Sequence, residues 1–366
     1  MEGNRKEIYT VIRNIDNCQY SSKNGEYGGA SGSKNGIVID GENWLVKYPK
    51  NAKDLARHAE MLYTNDPVSE YIGSHIYAIL NYPVHETMLV ERNNKIAVAC
   101  KDIEDQYQKR LVEIRTIKNA VNDTLEERLD RTFTSTGDAH GVGFSEILLH
   151  LKYNDILSSI KGIEDRFWDM LVIDIYINNS DRNNGNWGIL RKEGEPDMLA
   201  PIYDNGGSFN GKTPDSRLEK MLMNKDIILN SSISGITTFL DNQGKNILSR
   251  DMLKLHNDNL YKSLIKNIPI IKASRNDIYK MIDGIPNEAC SNVRKMFYKE
   301  TLDLRLIHLL EPAYEKALLS LDKTTEIKDI TDIPIDDRIK NAKERVAERR
   351  TQSGVIANRV ADIDTR

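Results

Sequence analysis

A run of apolar residues at helical spacing precedes a polar loop in the middle of the chain. The apolar side chains between residues 165 and 179 recur three or four positions apart and share one helical face: Phe167, Leu171, Val172, Ile175 and Tyr176. This pattern predicts a buried helix that ends near Asn178. Two apolar runs follow the loop, Trp187 to Leu190 and Met198 to Tyr203, joined by a polar turn at 192–196. They predict a hairpin directly after the loop.

The first hundred residues contain short apolar runs that are separated by turn-forming residues. Residues 37–39 and 44–48 flank the turn sequence Asp-Gly-Glu-Asn and predict one hairpin. Residues 84–90 and 95–103 flank two asparagines and predict a second hairpin. The N-terminal part of the chain is therefore expected to be rich in β-structure.

A helix is predicted between these hairpins. Asp66 is the expected N-cap, and Pro67 stands at the first helical position, where its missing N–H has no helical partner. The apolar stripe of this helix consists of Ile72, Ile76 and Ile79. Glu70 lies in the first turn, where the helix dipole favours a carboxylate, and it can pair with Lys47 of the preceding strand. The alternative is that both are ordinary solvated surface charges.

Helical patterns prevail in the rest of the chain. The amphipathic segments are 144–160, 217–223, 249–266, 275–282 and 288–314. Residues 106–140 predict a helix and an exposed loop, and Pro312 should kink or divide the last core helix. The expected fold class is α+β, with a small β-rich lobe over residues 1–103, a mainly helical lobe over 104–321 and a charged tail over 322–366.

Composition and charge narrow the function classes. The chain has 366 residues, of which 39% are hydrophobic, and this is ample for a sizeable core. Its net charge of −4 argues against a nucleic-acid binder that relies on overall basicity. Three widely spaced cysteines indicate a reducing compartment and no disulfide framework. We find no signal peptide and no membrane span, so we expect a cytoplasmic protein, with export without a cleaved signal left open.

The tail differs from the rest of the chain in its charge. Residues 338–350 carry six Lys or Arg against two Glu, which leaves a local charge of plus four. One interpretation is a basic arm for an acidic partner, such as nucleic acid or an import receptor. A solvated terminal helix is the interpretation that we favour.

The loop after residue 178 carries three side chains suited to phosphoryl transfer. Asp181 and Asn186 are five positions apart, and Asp204 follows at the end of the predicted hairpin. Sites of the protein-kinase type use an Asp to accept the substrate hydroxyl proton, an Asn five residues later to hold metal, and a later Asp to hold metal against the phosphates. The alternative is that Asp and Asn occur here because they favour loops.

A glycine-rich segment near the N-terminus is the candidate phosphate loop. Its candidate ligands are Gly28, Gly29, Ala30, Ser31, Gly32, Ser33 and Lys34. Glycines let the backbone approach a phosphate closely, and serine and lysine add donors. The segment lacks the Gly-Lys-Ser/Thr of a Walker A loop, and a flexible linker remains an alternative. At the end of the second hairpin, Lys101 and Asp102 mark the expected hinge between lobes, where backbone groups would bind an adenine edge.

Several segments together resemble the HipA-like serine/threonine kinases, most closely the short members of that family. The segments are EYGGASGSKNG, WLVKYPK, SEYIGSHIYAILNYPVHETML, VACKD, FWDMLV, SDRNNGNWGIL and APIYDNGG. The resemblance runs from about residue 25 to about residue 321. It implies a two-lobed protein-kinase-like fold, ATP and Mg²⁺ as cofactors, and a protein substrate with a Ser or Thr acceptor.

The resemblance also implies residue roles. Asp181 matches the catalytic aspartate, Asn186 and Asp204 match the metal ligands, and Lys47 matches the phosphate lysine with Glu70 as its partner. Kinases of this family can be autophosphorylated on a serine of the phosphate loop. Ser31 and Ser33 are the corresponding candidates.

Two departures from the family pattern affect these expectations. The family's Asp-Arg-His is here Asp181-Arg182-Asn183, and Asn183 can form hydrogen bonds but cannot carry a proton at neutral pH. Only some 25 residues precede the phosphate loop, whereas longer family members have an N-terminal subdomain there. An antitoxin or another regulatory partner, and a role as a toxin or effector, are therefore open expectations.

Two other functions are compatible with the sequence. A phosphoinositide-type lipid kinase shares the Asp-Arg and Asn arrangement, although we find no basic, aromatic membrane-binding surface. A nucleotide-binding regulator without catalytic activity is the second alternative. Asn183 or phosphorylation of the loop would account for its silence.

Overall fold

The computed structural model describes residues 10–27, 33–55, 61–135 and 141–322. The strands are β1 (Arg13–Asn14), β2 (Lys34–Ile39), β3 (Glu42–Lys47), β4 (Thr87–Arg92), β5 (Lys95–Lys101), β6 (Arg110–Glu113), β7 (Val142–Gly143), β8 (Gly188–Arg191), β9 (Met198–Leu199), β10 (Ile236–Leu240) and β11 (Asn246–Leu248). The helices are α1 (Ala52–Leu55), α2 (Asp66–Ile79), α3 (Ile103–Tyr107), α4 (Ile114–Leu129), α5 (Phe144–Tyr153), α6 (Asp155–Ser158), α7 (Ile163–Ile177), α8 (Asp215–Leu222), α9 (Lys225–Ile233), α10 (Ser249–Met252), α11 (Asp258–Asp283), α12 (Asn292–Arg305) and α13 (Glu311–Asp322). Most strand residues precede α4 and most helical residues follow it, as expected for a two-lobed α+β fold.

A five-stranded sheet forms the core of the smaller lobe, in the order β1-β4-β5-β3-β2. β1 runs parallel to β4, and the other neighbours are antiparallel. Successive strand residues point to opposite faces, so alternate apolar side chains meet in one buried cluster. Its members include Ile37, Ile39, Trp44, Val46, Val90, Ala97 and Ala99. Both hairpins predicted from the sequence are confirmed, and β3 and β5 join them into one sheet.

Helix α2 packs against β4 and β5 of this sheet. The predicted helix is confirmed, but its N-cap is Asn65 and not Asp66, so the helix begins at Asp66, one residue earlier than we expected. Gly73 allows a close approach to the larger lobe, because a Cβ atom there would lie 2.8 Å from the Cβ of Asn205. The helix that carries Glu70 therefore contacts the segment that follows Asp204.

Helix α7 is buried along most of its length and packs against α11 and α12. Its C-terminus is set by Asn178, whose φ of 55° lies in the left-handed region that asparagine tolerates. The N–H of Asn179 then donates to the carbonyl of Asp174 at 2.8 Å and satisfies one of the last helical carbonyls. This cap fixes the direction in which the chain enters the loop of Asp181.

Two features of the larger lobe correct the sequence-based predictions. Helix α11 is a single helix of 26 residues, where the sequence suggested separate helices at 249–266 and 275–282. It continues through Pro269 because its buried face packs against α7, and packing contributes more than the one lost hydrogen bond. The antiparallel pair β10 and β11 lies in a region that we expected to contain only helices and polar loops.

Proline positions explain two further element ends. The predicted strand from Met198 to Tyr203 stops at Leu199, because Pro201 has no N–H for the ladder. Pro312 divides the last core helix as predicted. It cannot donate to the carbonyl of His308, and a π-helical turn at Leu306–Leu310 joins α12 to α13.

The remaining charged segment contains both expected and unexpected structure. The helix predicted within residues 106–140 is α4, but the sequence analysis missed β6, which pairs with β8 of the larger lobe.

No helix in the described ranges combines the length and the apolarity needed to cross a bilayer.

Candidate active site

Two adjoining cavities are lined by residues of both lobes. The larger cavity has a volume of about 770 Å³ and the smaller one about 460 Å³. Four polar residues line both cavities: Lys34, Lys47, Asn186 and Asp204. The larger cavity also contains Asp181, whereas the smaller one contains Lys101 and Asp102. The two cavities thus form one cleft, with four of the candidate site residues at their junction.

Lys47 projects from β3 into this junction and binds two carboxylates. Its Nζ atom lies 2.8 Å from Oε2 of Glu70 and 2.9 Å from Oδ1 of Asp204. Burial alone would lower the pKa of Lys47, but Asp204 and Glu70 together raise this pKa well above its ordinary value. The ion pair between Lys47 and Glu70 predicted from the sequence is formed, and Asp204 is a second partner.

Glu70 is 1% exposed and accepts hydrogen bonds from both lobes. The backbone N–H groups of Asn205 and Gly206 donate to Oε1 and Oε2 at 2.9 and 3.1 Å. His85 Nε2 lies 3.0 Å from Oε1, and it is the donor because an ionised carboxylate only accepts. Burial would raise the pKa of Glu70, but Lys47 and His85 hold it well below its usual range. Glu70 is therefore an ionised connector between the sheet and the segment after Asp204.

Arg182 holds the polar loop against the larger lobe. Its side chain is buried, and Nε lies 2.8 Å from Oδ2 of Asp174 in α7. The same guanidinium donates to the carbonyl oxygens of Asn186 and Tyr203 and to the side chain of Asn205. Burial would lower the pKa of Arg182, but Asp174 raises it above its ordinary value. Both segments that carry candidate metal ligands are therefore bound to one rigid cation.

Asp181 lies at the wall of the larger cavity with its carboxylate accessible. Its N–H donates to Oδ1 of Asn179 at 3.1 Å, and its Oδ1 accepts from Nδ2 of Asn183 at 3.0 Å. Partial burial in the cleft raises the pKa of Asp181, and the charge of Asp204 adds to this rise, while the bond from Asn183 opposes it. A raised pKa brings a carboxylate closer to the range in which it works as a general base.

The side chains of Asn186 and Asp204 offer oxygen atoms to the same space. Asn186 Nδ2 donates to the carbonyl of Asp181 at 2.6 Å, which leaves its Oδ1 available as a ligand. One oxygen of Asp204 binds Lys47, and the other remains available. Asp204 adopts a left-handed φ of 57°, a strained conformation that is typical of functional sites. Oxygen donors of this kind suit Mg²⁺, so these two residues fit the predicted metal-binding role.

A second group of potential ligands has different chemistry. The ligand atoms of Glu70, His85 and Cys100 all lie within 4.8 Å of one another, and all three residues are buried. Burial raises the pKa of the Cys100 thiol, so it stays protonated and is a poor ligand. Because Glu70 is already bound to Lys47 and His85, we interpret this group as support for the ion pair.

The expected hinge residues line the smaller cavity, but most of their polar groups have partners. The N–H groups of Lys101 and Asp102 donate to the carbonyls of Glu86 and Asn43 at 2.9 and 3.0 Å. The Lys101 ammonium binds two glutamates on the sheet, and the Asp102 carboxylate accepts from the hydroxyl of Tyr27. The backbone N–H groups that we expected to bind an adenine edge therefore already have partners within the protein.

The candidate phosphate loop is only partly within the described residues. The residues outside the description are Gly28, Gly29, Ala30, Ser31 and Gly32. Ser33 and Lys34 line the larger cavity, as expected for the end of such a loop. Lys34 stands directly opposite Lys47 in the register of β2 and β3. Both lysines line the two cavities, so this position offers two ammonium groups to an anion.

The sequence analysis missed His85 and the contacts of Arg182. His85 precedes β4 and is buried like Thr87 and Leu89, and this alternation in the sequence indicated an inward position. Nothing in the sequence indicated that Glu70 would be its partner. The sequence analysis noted Arg182 only as the neighbour of Asp181. It did not predict the ion pair with Asp174, which lies in the preceding helix.

We expect the Asn183→Ala variant to move the acidic limb of the pH–rate profile to higher pH. The hydrogen bond from Asn183 lowers the pKa of Asp181, so its loss raises this pKa further. A base must be ionised to act, and the rate would then rise only at higher pH. The measurement is kcat between about pH 4 and 9, with Asn230→Ala on exposed α9 as control. An acidic limb at the wild-type pH, or at a lower pH, would contradict the role of Asp181 as the general base.

The sequence and the structure were compared with those of known proteins. No family model matches the sequence. The serine/threonine-protein kinase CtkA of Helicobacter pylori strain J99 is 32% identical over 305 residues, which are 82% of this chain and 87% of that protein. The crystal structure of a Helicobacter pylori proinflammatory kinase CtkA superposes with a TM-score of 0.72 at 30% identity, over 84% of this chain and 99% of that one. HipA of Shewanella oneidensis, solved with HipB and operator DNA, is more distant, with a TM-score of 0.45 and 12% identity over 79% of this chain and 67% of that one.

Proposed function

Because the chain belongs to the HipA-like serine/threonine protein kinases of the CtkA type, we propose that it uses ATP and Mg²⁺ to phosphorylate Ser or Thr hydroxyls. The observation that carries this proposal is Lys47, which binds both Glu70 and Asp204 at the junction of the two cavities. A lysine fixed in this way is the feature that protein kinases use to orient the α- and β-phosphates. The smaller cavity would then hold the adenine ring of ATP.

The phosphates would lie at the junction, and the acceptor would enter through the larger cavity. Lys34 and Lys47 supply positive charge from neighbouring strands, where a phosphate can accept from both ammonium groups. Asn186 and Asp204 would hold Mg²⁺, which neutralises charge on the transferred phosphoryl group. The glycine-rich residues before Ser33 are the proposed source of further backbone donors.

Asp181 is the proposed base for the acceptor hydroxyl. As the oxygen of Ser or Thr bonds to the γ-phosphorus, the bond to the β-phosphate oxygen breaks and ADP leaves. The hydroxyl proton passes to the carboxylate of Asp181, which Asn183 orients through its 3.0 Å hydrogen bond. Little covalent chemistry is required of the protein, so positioning and charge account for most of the rate.

The test is transfer of label from γ-labelled ATP to the protein itself and to a generic protein acceptor. We expect label on Ser or Thr with Mg²⁺ and none after chelation with EDTA, because oxygen ligands at Asn186 and Asp204 suit Mg²⁺. Phosphosite mapping by mass spectrometry should show whether Ser31 or Ser33 is modified, as we propose for autophosphorylation. Transfer that survives chelation would contradict the metal-dependent mechanism.

The two alternative functions correspond to other results of this experiment. Label on phosphoinositide vesicles and not on protein would indicate a lipid kinase. Nucleotide binding without transfer to protein or lipid, in unphosphorylated material, would indicate a silent regulator.

We propose residues 1–103 and 104–321 as the two lobes, since β5 ends at Lys101 and α3 begins at Ile103.

A further inference from the structure

The larger cavity extends beyond the residues that it shares with the smaller one. If the shared residues hold the phosphates of ATP and the smaller cavity holds its adenine ring, then the rest of the larger cavity faces the acceptor hydroxyl. The wall of this part contains Ser180 and Asp181 from the polar loop, and also Lys50 and Lys212. Neither lysine is required by the mechanism proposed above.

Backbone hydrogen bonds bring these two lysines to one edge of the cavity. The carbonyl of Lys50 accepts from the N–H of Thr64 at 2.9 Å. The next residue, Asn65, donates its N–H to the carbonyl of Gly211 at 2.7 Å. Lys50 and Lys212 are thus separated by one hydrogen-bonded segment, although they lie far apart in the sequence. We call this pair of residues the lysine rim.

Both residues of the lysine rim are exposed, and neither forms an ion pair with any residue in the described ranges. This distinguishes them from Lys47 and Lys101, whose ammonium groups are each bound by two carboxylates. Unpaired lysines at a cavity edge create a positive potential that attracts anionic groups.

Three carboxylates line the same part of the cavity wall: Glu70 is bound to Lys47 and His85, Asp181 is the proposed general base, and the third is Asp66. It makes no ion pair with the lysine rim within the described residues, and it stands in the first turn of α2, where the helix dipole offsets its charge. Lys212 and Asp181 line the same cavity, and the positive charge of Lys212 opposes the rise in the pKa of Asp181. The lysine rim is therefore near the reacting hydroxyl and is not neutralised by Asp66.

We propose that the lysine rim selects protein segments in which acidic side chains flank the acceptor Ser or Thr. Carboxylates of the substrate would approach Lys50 and Lys212 while the hydroxyl reaches Asp181. A phosphorylated side chain next to the acceptor offers the same anionic chemistry, and separate peptides distinguish the two sources. The inference rests on the proposed kinase function, because it assigns the substrate class of that same site.

The experiment compares kcat/KM of the full chain for four peptides of equal length with one central Ser. The flanking residues are Asp, Asn, Lys or phosphoserine with Asn. We expect wild type to prefer the acidic peptide to the neutral one about fivefold or more, and the basic peptide least, because exposed charge pairs contribute modestly each. The preference should decrease as salt is raised, since exposed charges are screened. A larger gain with phosphoserine than with Asp would identify a phosphorylated substrate.

Charge-reversal variants assign the preference to the lysine rim. Lys50→Glu/Lys212→Glu should favour the basic peptide, and Lys50→Gln/Lys212→Gln should treat the acidic, neutral and basic peptides alike. Lys161→Glu, an exposed lysine outside both cavities, is the matched control and should behave as wild type. Unfolding temperatures establish that each variant is folded. The neutral double variant provides a second test if the charge reversal unfolds the protein.

Two results would overturn the inference in different ways. If wild type phosphorylates all the peptides with equal kcat/KM, or if the double charge-reversal variant keeps the acidic preference, the lysine rim does not select substrates and the kinase function stands. If wild type transfers phosphate to no peptide, to no generic protein and not to itself, the proposed function fails and this inference fails with it.

Discussion

The Asp181→Asn variant is expected to transfer phosphate about 10²–10⁴-fold more slowly than wild type, the usual contribution of a general base. Asparagine has the size of aspartate, and its Oδ1 can still accept the hydrogen bond from Asn183. It cannot take the proton of the acceptor hydroxyl. The loss should therefore fall on the chemical step and not on the structure of the loop.

Single-turnover kinetics with γ-labelled ATP measures this step. Nucleotide affinity, followed by thermal stabilisation with increasing ATP, should be nearly unchanged, because Asp181 makes no hydrogen bond with Lys47 or Glu70 within the described residues. Asp123→Asn on α4 replaces an exposed aspartate outside the cleft and is the matched control. A wild-type rate in Asp181→Asn would place the base elsewhere in the cleft.

The second large effect is expected from Glu70→Gln, which should lower the free energy of unfolding by about 3 kcal/mol, the lower end of the range for breaking a buried ion pair. Glu70 accepts from Lys47, His85 and two backbone N–H groups, and it is 1% exposed. A glutamine amide places an NH₂ group where one carboxylate oxygen accepts, so donors face donors. Asp204 still pairs with Lys47, which keeps the loss at this lower end.

Urea unfolding measures this loss, and Glu127→Gln on the exposed side of α4 is the control. We also expect weaker nucleotide binding, because Lys47 is no longer held in one orientation by two carboxylates. A Glu70→Gln protein with wild-type stability and activity would show that Asp204 alone positions Lys47.

The ionisation of Glu70 should also make stability depend on pH. The pKa of Glu70 in the folded protein is well below that in the unfolded chain, so its contribution is complete above the unfolded pKa of about 4.3. As the pH falls from there towards the folded pKa, the unfolded chain binds the extra proton and this contribution is lost. Below about pH 4.3, wild type should therefore lose stability more steeply than Glu70→Gln.

Local parts of this site could be predicted from the sequence because their residues are close in the chain. Asp181 and Asn186 share one loop, and the loop follows a helix whose apolar face is evident from residue spacing. Helix α2 and the strand of Lys47 were predicted for the same reason. The segments matching a known family supplied the roles of these residues, which spacing alone left open.

Contacts between distant segments could not be predicted in this way. The bond between His85 and Glu70 depends on how α2 packs on the sheet. Three features of the larger lobe depend on tertiary packing: the continuation of α11 through Pro269, the pair β10 and β11, and the pairing of β6 with β8. Periodicity in one segment carries no information about the partner strand that satisfies its backbone.

The hydrogen bonds that Glu70 accepts from two backbone N–H groups have a consequence for biosynthesis. Glu70 and Asn205 are separated by 135 positions, so their contact closes a long stretch of chain. Contacts of such separation form late in folding, because a large loss of chain entropy precedes them. While the ribosome has released only the residues before Asn205, Glu70 lacks these two partners. The nascent chain should therefore remain inactive until much of the larger lobe has emerged and folded.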